Sequence, residues 1–393
     1  MRVQALHWRP YSLPLHRPFV AAWGRLTQRE GLLLSLRDDL ARWGHGEAAP
    51  LPGYGGEPLH AAQACLEHLA RQLPGRDIPP PGDAALDLFL DGLLAEVGGT
   101  HLPTTRHALE QALLHLWALE RGQPPSTLLH PNAGQSVAVN ATLGAEDTPT
   151  LLTQAEAALT AGFATLKIKV GATDVAADTA RLHALRGHVG PGVALRADAN
   201  GAWTPAQARQ ALAEWAGLGL EYVEQPLPPG ELDALRLLAQ VSPVPIALDE
   251  QIDHALMQGG ARGLDMLLEL EGIACWVLKP MLLGGMGRTC AWARRAMGAG
   301  VSVVVTTTLE GAVGRAGALH TALAVEAIRE EVMGGQPAQH QPDLPPRAHG
   351  LATGGIFPHD LVEHPALPTG GRLGLEASLG LPTPAPPFHP AGD

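Results

Sequence analysis

Two rhythms of apolar and polar positions divide this chain. In the first third, Val3–Trp8 and Gly31–Arg37 alternate as half-buried strands do, and Ala41–Ala48 is placed to close a three-stranded meander. The polar stretch Phe19–Glu30 between the first two contains Gly24 and reads as a mobile loop. Helical spacing follows at Pro58–Gln72 and Thr105–Arg121, with a Pro/Gly-rich break at Pro74–Gly82. From Val137 the rhythm changes. Short apolar runs at Val137–Leu143, Thr165–Val170, Val193–Asp198, Leu220–Glu224, Pro245–Asp249, Ile273–Lys279, Val301–Thr306 and Gly350–Thr353 alternate with helical stretches. Those stretches include Thr150–Ala161, Val175–Gly187, Pro205–Gly217 and Arg288–Gly300. Eight strands separated by helices predict parallel pairing and an α/β fold of the closed (β/α)8-barrel type. The eighth strand follows the Pro-rich loop Gln336–Arg347. The Pro-rich tail after Gly380 is expected to cap the barrel bottom or pack on the smaller domain.

Barrel chemistry sits where the strands end. Strand two ends in Lys167-Ile168-Lys169, strand three in Asp198-Ala199-Asn200, and strand four in Glu224-Gln225. Strand five ends in Asp249-Glu250, and strand six in Lys279-Pro280. Period-two alternation puts Leu166, Ile168 and Val170 on the face toward the helices, so Lys167 and Lys169 point into the barrel mouth; Asp198 points inward by the same logic. Asp198, Glu224 and Asp249 on neighbouring strands would repel unless a cation stood among them, and all-oxygen ligands suit Mg²⁺, with Mn²⁺ as an alternative. Lys169 and Lys279 would flank that ion from opposite sides, which suits proton removal beside a carboxylate. Any one Asp at a strand end is as readily a turn residue or helix cap, and a Lys-x-Lys is often a solvated face. Five such strand ends in succession are not explained that way.

Composition adds limits. The chain has 393 residues, 46% of them hydrophobic, and a formal net charge of −12. That charge argues against nucleic acid as a partner, while leaving a small-molecule carboxylate open. Three scattered cysteines (Cys65, Cys275, Cys290) suggest neither a disulfide framework nor a zinc site. No apolar run reaches the ~18 residues a membrane helix needs, and Met1–Pro10 lacks a signal-peptide core. A cytoplasmic protein without a membrane partner is the expectation, with a homo-oligomer left open. The eighteen histidines show no ligand pattern and are expected mostly at the surface. Trp43 and Trp203 are expected to pack rather than bind.

The strings Leu166–Val170, Leu195–Trp203, Val223–Leu227, Ile246–Gln251 and Val277–Gly285 resemble the enolase superfamily in its muconate-cycloisomerase branch. A Lys or His base beside Mg²⁺ is the chemistry this resemblance implies. It also implies an N-terminal α+β capping domain whose loop near Phe19–Thr27 closes over the site, and a C-terminal segment packing back on the barrel. The expected division is 1–130, 131–360 and 361–393.

Outside the shared set, Gly44–Glu57, Val139–Leu143, Thr307–Arg315 and Leu351–Phe357 resemble the o-succinylbenzoate synthase family. Gly311 stands where Ser is usual there, Thr replaces Ser twice, and Pro358-His359 replaces Ala-Asp. This resemblance implies dehydration of 2-succinyl-6-hydroxy-2,4-cyclohexadiene-1-carboxylate to o-succinylbenzoate, a step of menaquinone biosynthesis. In it Lys169 is the base, Lys279 the stabilising cation across the ring, and Lys167 an orienting group or charge balance. Asn200 and Glu250 support the metal ligands. Thr306 and Thr307 hold the substrate's tail or simply finish the strand. Gly284 and Gly285 open the following helix or offer amides to the substrate. Racemases of N-acylamino acids and dipeptide epimerases use the same set, as do muconate-type cycloisomerases. A non-catalytic metal-binding relative would need neither Lys169 nor Lys279.

Overall fold

The computed structural model describes residues 1–21, 24–51, 53–82, 84–99, 101–144, 147–335 and 344–375. Val3–Ala21 (β1) and Gly24–Asp38 (β2) form one long antiparallel hairpin, with Trp43–Ala48 (β3) along the other edge of β2. The pairing runs from Val3 opposite Asp38 to Ala21 opposite Gly24. The expected loop at Phe19–Glu30 is therefore a strand-paired arm. Residues Arg25, Thr27, Gln28 and Glu30 are exposed, so the arm carries no apolar alternation; backbone pairing holds it, with the buried Arg29 side chain donating to the carbonyls of Ala49 and Pro50 at its base. Leu59–Gln72 (α1), Ala85–Glu96 (α2) and Pro103–Arg121 (α3) cover the meander. The sequence reading missed α2, although Leu86, Leu90, Leu93 and Leu94 are buried at helical spacing. Pro125–Leu129 (α4) leads into the barrel.

The first expected barrel strand is split into Ser136–Ala138 (β4) and Ala141–Leu143 (β5). Next come Thr148–Thr160 (α5), Thr165–Lys169 (β6), Val175–Val189 (α6), Ala194–Asp198 (β7), Pro205–Glu214 (α7), Leu220–Glu224 (β8) and Leu232–Val241 (α8). Ile246–Leu248 (β9), Glu250–Leu268 (α9), Ile273–Leu278 (β10), Pro280–Leu283 (α10), Met286–Gly298 (α11), Ser302–Val305 (β11) and Ala312–Gly334 (α12) complete the series. Strands β5 to β11 lie side by side in chain order in one curled parallel sheet. The seam is narrower than expected. Instead of a strand at Gly350–Thr353, His349 bridges Val139 and Gly350 bridges Thr306. Gly350 packs against the Thr306 side chain, and the chain turns away at once toward a short 3-10 turn at Gly354–Ile356. The His349 ring completes the closure by accepting from Val305 N at 2.9 Å. Arg372–Gly374 (β12) then returns to pair antiparallel with β4. Residues 336–343 of the Pro-rich loop and the tail after Gly380 lie outside the described residues.

The alternation read from the strands is the packing principle. Leu166, Ile168, Leu195 and Ala197 belong to the apolar layer between sheet and helices. The inward residues form a second, small core of Tyr222, Ala247, Cys275, Val277 and Val304. Arg196, fully buried, plugs it; its guanidinium lies 4.9 Å from the Tyr222 ring centroid, and its Nε donates to Glu221 at 2.6 Å. Above this layer only polar ends remain, and they form the barrel mouth.

Two buried carboxylates dock the N-terminal domain onto the barrel. Glu47 on β3 accepts from Gly311 N at 2.6 Å and Gly314 N at 2.7 Å, at the start of α12. Glu110 on α3 accepts from Met286 N and Gly287 N at the start of α11. Each cancels orphan amides and complements a helix dipole. Gly285 is required at the second junction, because any Cβ there would run into the Glu110 carboxylate. We expect Glu47→Ala to cost about 2–4 kcal/mol, read from a denaturant midpoint, since it strands buried donors and the Tyr11 hydroxyl that also binds Glu47. Most of the described histidines are exposed or half-buried, as expected, with five exceptions. His45, His107, His130, His320 and His349 are buried; His107 and His320 are so because α3 and α12 are enclosed along most of their length. Trp203 packs edge-on to Trp215 at 5.3 Å, as a core residue does. The three cysteines are free and buried. Among the described residues no helix is long and apolar enough to cross a membrane.

Candidate active site

Strand register builds the site. Lys169 pairs with Asp198 across β6 and β7, and Asp198 with Glu224 across β7 and β8, so their side chains form one row at the mouth. The turns leaving β7 and β8 are tight: Asn200 (φ 44°) and Gln225 (φ 41°) both take left-handed backbone without being glycine, strain of the kind that functional strand ends carry. Gln225 repays its own by bracing strand five. Its Oε1 accepts from Asp249 N at 3.1 Å and Gln251 N at 3.0 Å.

The lysines stand between the acids. Lys167 Nζ bridges Asp198 and Glu224 at 2.8 Å each. Lys169 Nζ reaches Asp198 Oδ2 at 2.7 Å and Asn200 Oδ1 at 2.6 Å. Asn200 in turn donates to Glu250 Oε1 at 2.9 Å. On the far side, Lys279 Nζ is ion-paired with Asp249 and lies 3.5 Å from Asp253 Oδ2. The structure thus brings Lys167, Lys169, Asp198, Asn200, Glu224, Asp249, Glu250 and Lys279 to one mouth. Tyr54 and Asp253, which the sequence reading did not single out, are there too.

Electrostatics follow from the burial. Burial works against the charge on Lys167, but Asp198 and Glu224 outweigh it and hold the ammonium above the usual lysine range. Burial likewise opposes charge on Asp198, yet Lys167 and Lys169 hold this carboxyl well below the usual range. Glu224 is raised, by burial first and the Asp198 charge second. Asp253 is raised well above the ordinary value by burial and by Glu250. Lys279 is drawn down to about 7, chiefly by burial, with the Glu224 charge opposing.

Among the described residues no three His, Cys, Asp or Glu side chains form a ready coordination group, because ammonium groups occupy the gaps. The donor set nonetheless fits a hard divalent cation. Three lysines face five carboxyl groups, so the acids outnumber the cations that could neutralise them. Glu224 Oε2 and Glu250 Oε2 are buried without a hydrogen-bond partner. Buried carboxylate oxygens with nothing to bind are costly unless a cation meets them.

The other expected residues are placed differently. The Thr306 hydroxyl donates to Gly350 O at 3.0 Å, and the hydroxyls of Thr307 and Thr353 bond each other at 3.0 Å; both threonines knit the barrel seam. Gly284 and Gly285 lie at the α10–α11 junction, and the first amides of α11 go to Glu110.

Comparison with known proteins agrees with this architecture. Residues 150–381 match the family described as enolase C-terminal domain-like, and residues 1–77 match the N-terminal domain of MenC. The chain is 32% identical over 317 residues to an o-succinylbenzoate synthase of Thermosynechococcus vestitus, covering 80% of this chain and 87% of that one. It is 34% identical over 330 residues to an N-succinylamino acid racemase of Thermus thermophilus, covering 82% and 83%. A dipeptide epimerase from Methylococcus capsulatus, solved with Mg and the dipeptide L-Arg-D-Lys, superposes with a TM-score of 0.78 at 26% identity, over 95% of this chain and 97% of that one. Lyase and racemase relatives stand at similar distances.

Proposed function

The chain belongs to the enolase superfamily, and on that premise we propose that it removes the proton next to a substrate carboxylate, acting as an o-succinylbenzoate synthase. The observation that carries the chemistry is the placement of Lys169 at the end of β6 and Lys279 just past the end of β10, across the barrel from each other, with a buried carboxylate row between them. What favours this substrate is the N-terminal match together with the Gly44–Glu57 stretch that supplies Tyr54. In this reading residues 1–130 cap a barrel of 131–360, and the described part of the C-terminal segment 361–393 packs back on it.

Asp198, Glu224 and Asp249 would hold Mg²⁺ or Mn²⁺, which when bound supplies positive charge to the substrate carboxylate as electrons move into it. Lys169 takes the ring proton beside that carboxylate. The electron pair then forms a new ring double bond to the neighbouring carbon as its hydroxyl leaves. Lys169 returns the proton to it, so one water departs and the ring becomes aromatic. Lys279 faces the substrate from the other side as a cation, and Asn200 orients Lys169. Lys167 keeps Asp198 and Glu224 ionised and in place.

The direct test is incubation with the cyclohexadiene substrate, following loss of its ultraviolet absorbance. We expect turnover that stops on exhaustive chelation and returns with Mg²⁺ or Mn²⁺. Full turnover after chelation would remove the metal from the mechanism. A second reading, racemisation of N-succinylamino acids, is supported by the two lysines that end strands on opposite sides of the barrel, as a two-base reaction needs, and by the similarity to the N-succinylamino acid racemase. Rapid racemisation without loss of the diene would put it first.

A further inference from the structure

Tyr54 enters the barrel mouth from the N-terminal domain. Its segment is anchored at one end by Glu57, whose buried carboxylate accepts from Thr104 N at 3.1 Å and Thr105 N at 2.7 Å at the start of α3. Gly53, Gly55 and Gly56 all have positive φ (78°, 131° and 85°), so the chain doubles back around Tyr54 and projects it toward the strand ends. The Tyr54 hydroxyl lies 2.9 Å from Asp249 Oδ2 and 3.0 Å from Glu250 Oε1, its one proton shared between two carboxylates. Its ring lies under Lys279, with Nζ 4.6 Å from the centroid. Lys279 in turn binds the other oxygen of Asp249. Tyr54, Asp249 and Lys279 therefore form a closed triangle in which each touches the other two.

We infer that Tyr54 is a positioning residue of the metal centre, contributed by the N-terminal domain. Its hydroxyl sets the orientation of the Asp249 carboxylate, and its ring seats the Lys279 ammonium. Hydrogen bonds from outside the coordination shell fix a ligating carboxylate and typically carry a 10–100-fold share of metal affinity. An ammonium on an aromatic face is held electrostatically, here in addition to its carboxylate partner. The two parts of the residue thus do separate jobs, and substitution can separate them. Tyr54→Phe removes only the hydroxyl; Tyr54→Leu removes the ring as well.

The inference rests on the proposed role of Asp249, so Asp249→Asn is the control. Loss of Mn²⁺ binding in that variant upholds the ligand assignment independently of any turnover. Mn²⁺ affinity is then measured without substrate, from the signal of free Mn²⁺ in electron paramagnetic resonance. Tyr54→Phe is expected to bind Mn²⁺ about 10-fold more weakly, with kcat at saturating Mn²⁺ within about threefold of wild type and an unchanged melting temperature. Tyr54→Leu is expected to match that metal loss and to lose about a further 10-fold in kcat, because Lys279 no longer has its seat. Tyr54→Phe binding Mn²⁺ within twofold of wild type overturns the inference, and does so even if the leucine variant fails to fold. Equal kcat in folded phenylalanine and leucine variants overturns the role of the ring.

Discussion

Replacing Lys169 by alanine is expected to lower kcat by about a thousandfold or more, which is the usual share of a positioned acid–base group. The protein should stay folded. Lys169 is the outer of two lysines on Asp198; Lys167 still holds that carboxylate at 2.8 Å and also binds Glu224. Melting temperature and Mn²⁺ affinity should therefore change little, which separates loss of the base from loss of the site. Lys169→Arg should fail as badly, because a guanidinium keeps its proton at any working pH. Turnover within tenfold of wild type in a folded alanine variant would move the base elsewhere, with Lys279 the next candidate.

Much of this site was legible because barrel strands obey a period of two. Lys167 and Lys169 could be aimed inward since Leu166 and Ile168 had to face the helices, and both isoleucine and leucine are fully buried there. The same rule applied to β8 and β10 would have found the inner core of Tyr222, Cys275 and Val277. Asp253 was also within reach, one helical turn beyond Asp249 on α9. Tyr54 was not. It lies 195 residues from Asp249 in the chain and carries no local periodicity, so only the docking of two domains reveals it. The paired arm of β1 and β2 was hidden for another reason: a ribbon exposed on its sides needs no apolar pattern to form. The barrel seam was overestimated because its length depends on where Gly350 meets Thr306, a tertiary contact without a signature in the local run of residues.

Lys279→Arg separates the two readings of the reaction. Lys279 is almost wholly enclosed, with Asp249 and Asp253 on one side and the Tyr54 ring on the other. A guanidinium can keep the charge, pair with these carboxylates and stack on the ring, but it can neither take nor give a proton. It is also longer and planar, so some misplacement is unavoidable and a loss of about 100-fold in dehydration is expected. In a dehydration where Lys169 both removes the proton and protonates the leaving hydroxide, that residual rate persists. In a two-base racemisation it cannot, because each lysine serves one enantiomer. In deuterated water, the variant should therefore stop exchanging the α-proton of the N-succinylamino acid enantiomer that faces Lys279. The opposite enantiomer, facing Lys169, should still exchange at whatever rate the wild type shows. Dehydration falling to the level of Lys169→Ala, with folding and Mn²⁺ binding intact, would mean that Lys279 itself moves a proton in the reaction. The single-base mechanism would then give way to one in which both lysines shuttle protons across the substrate.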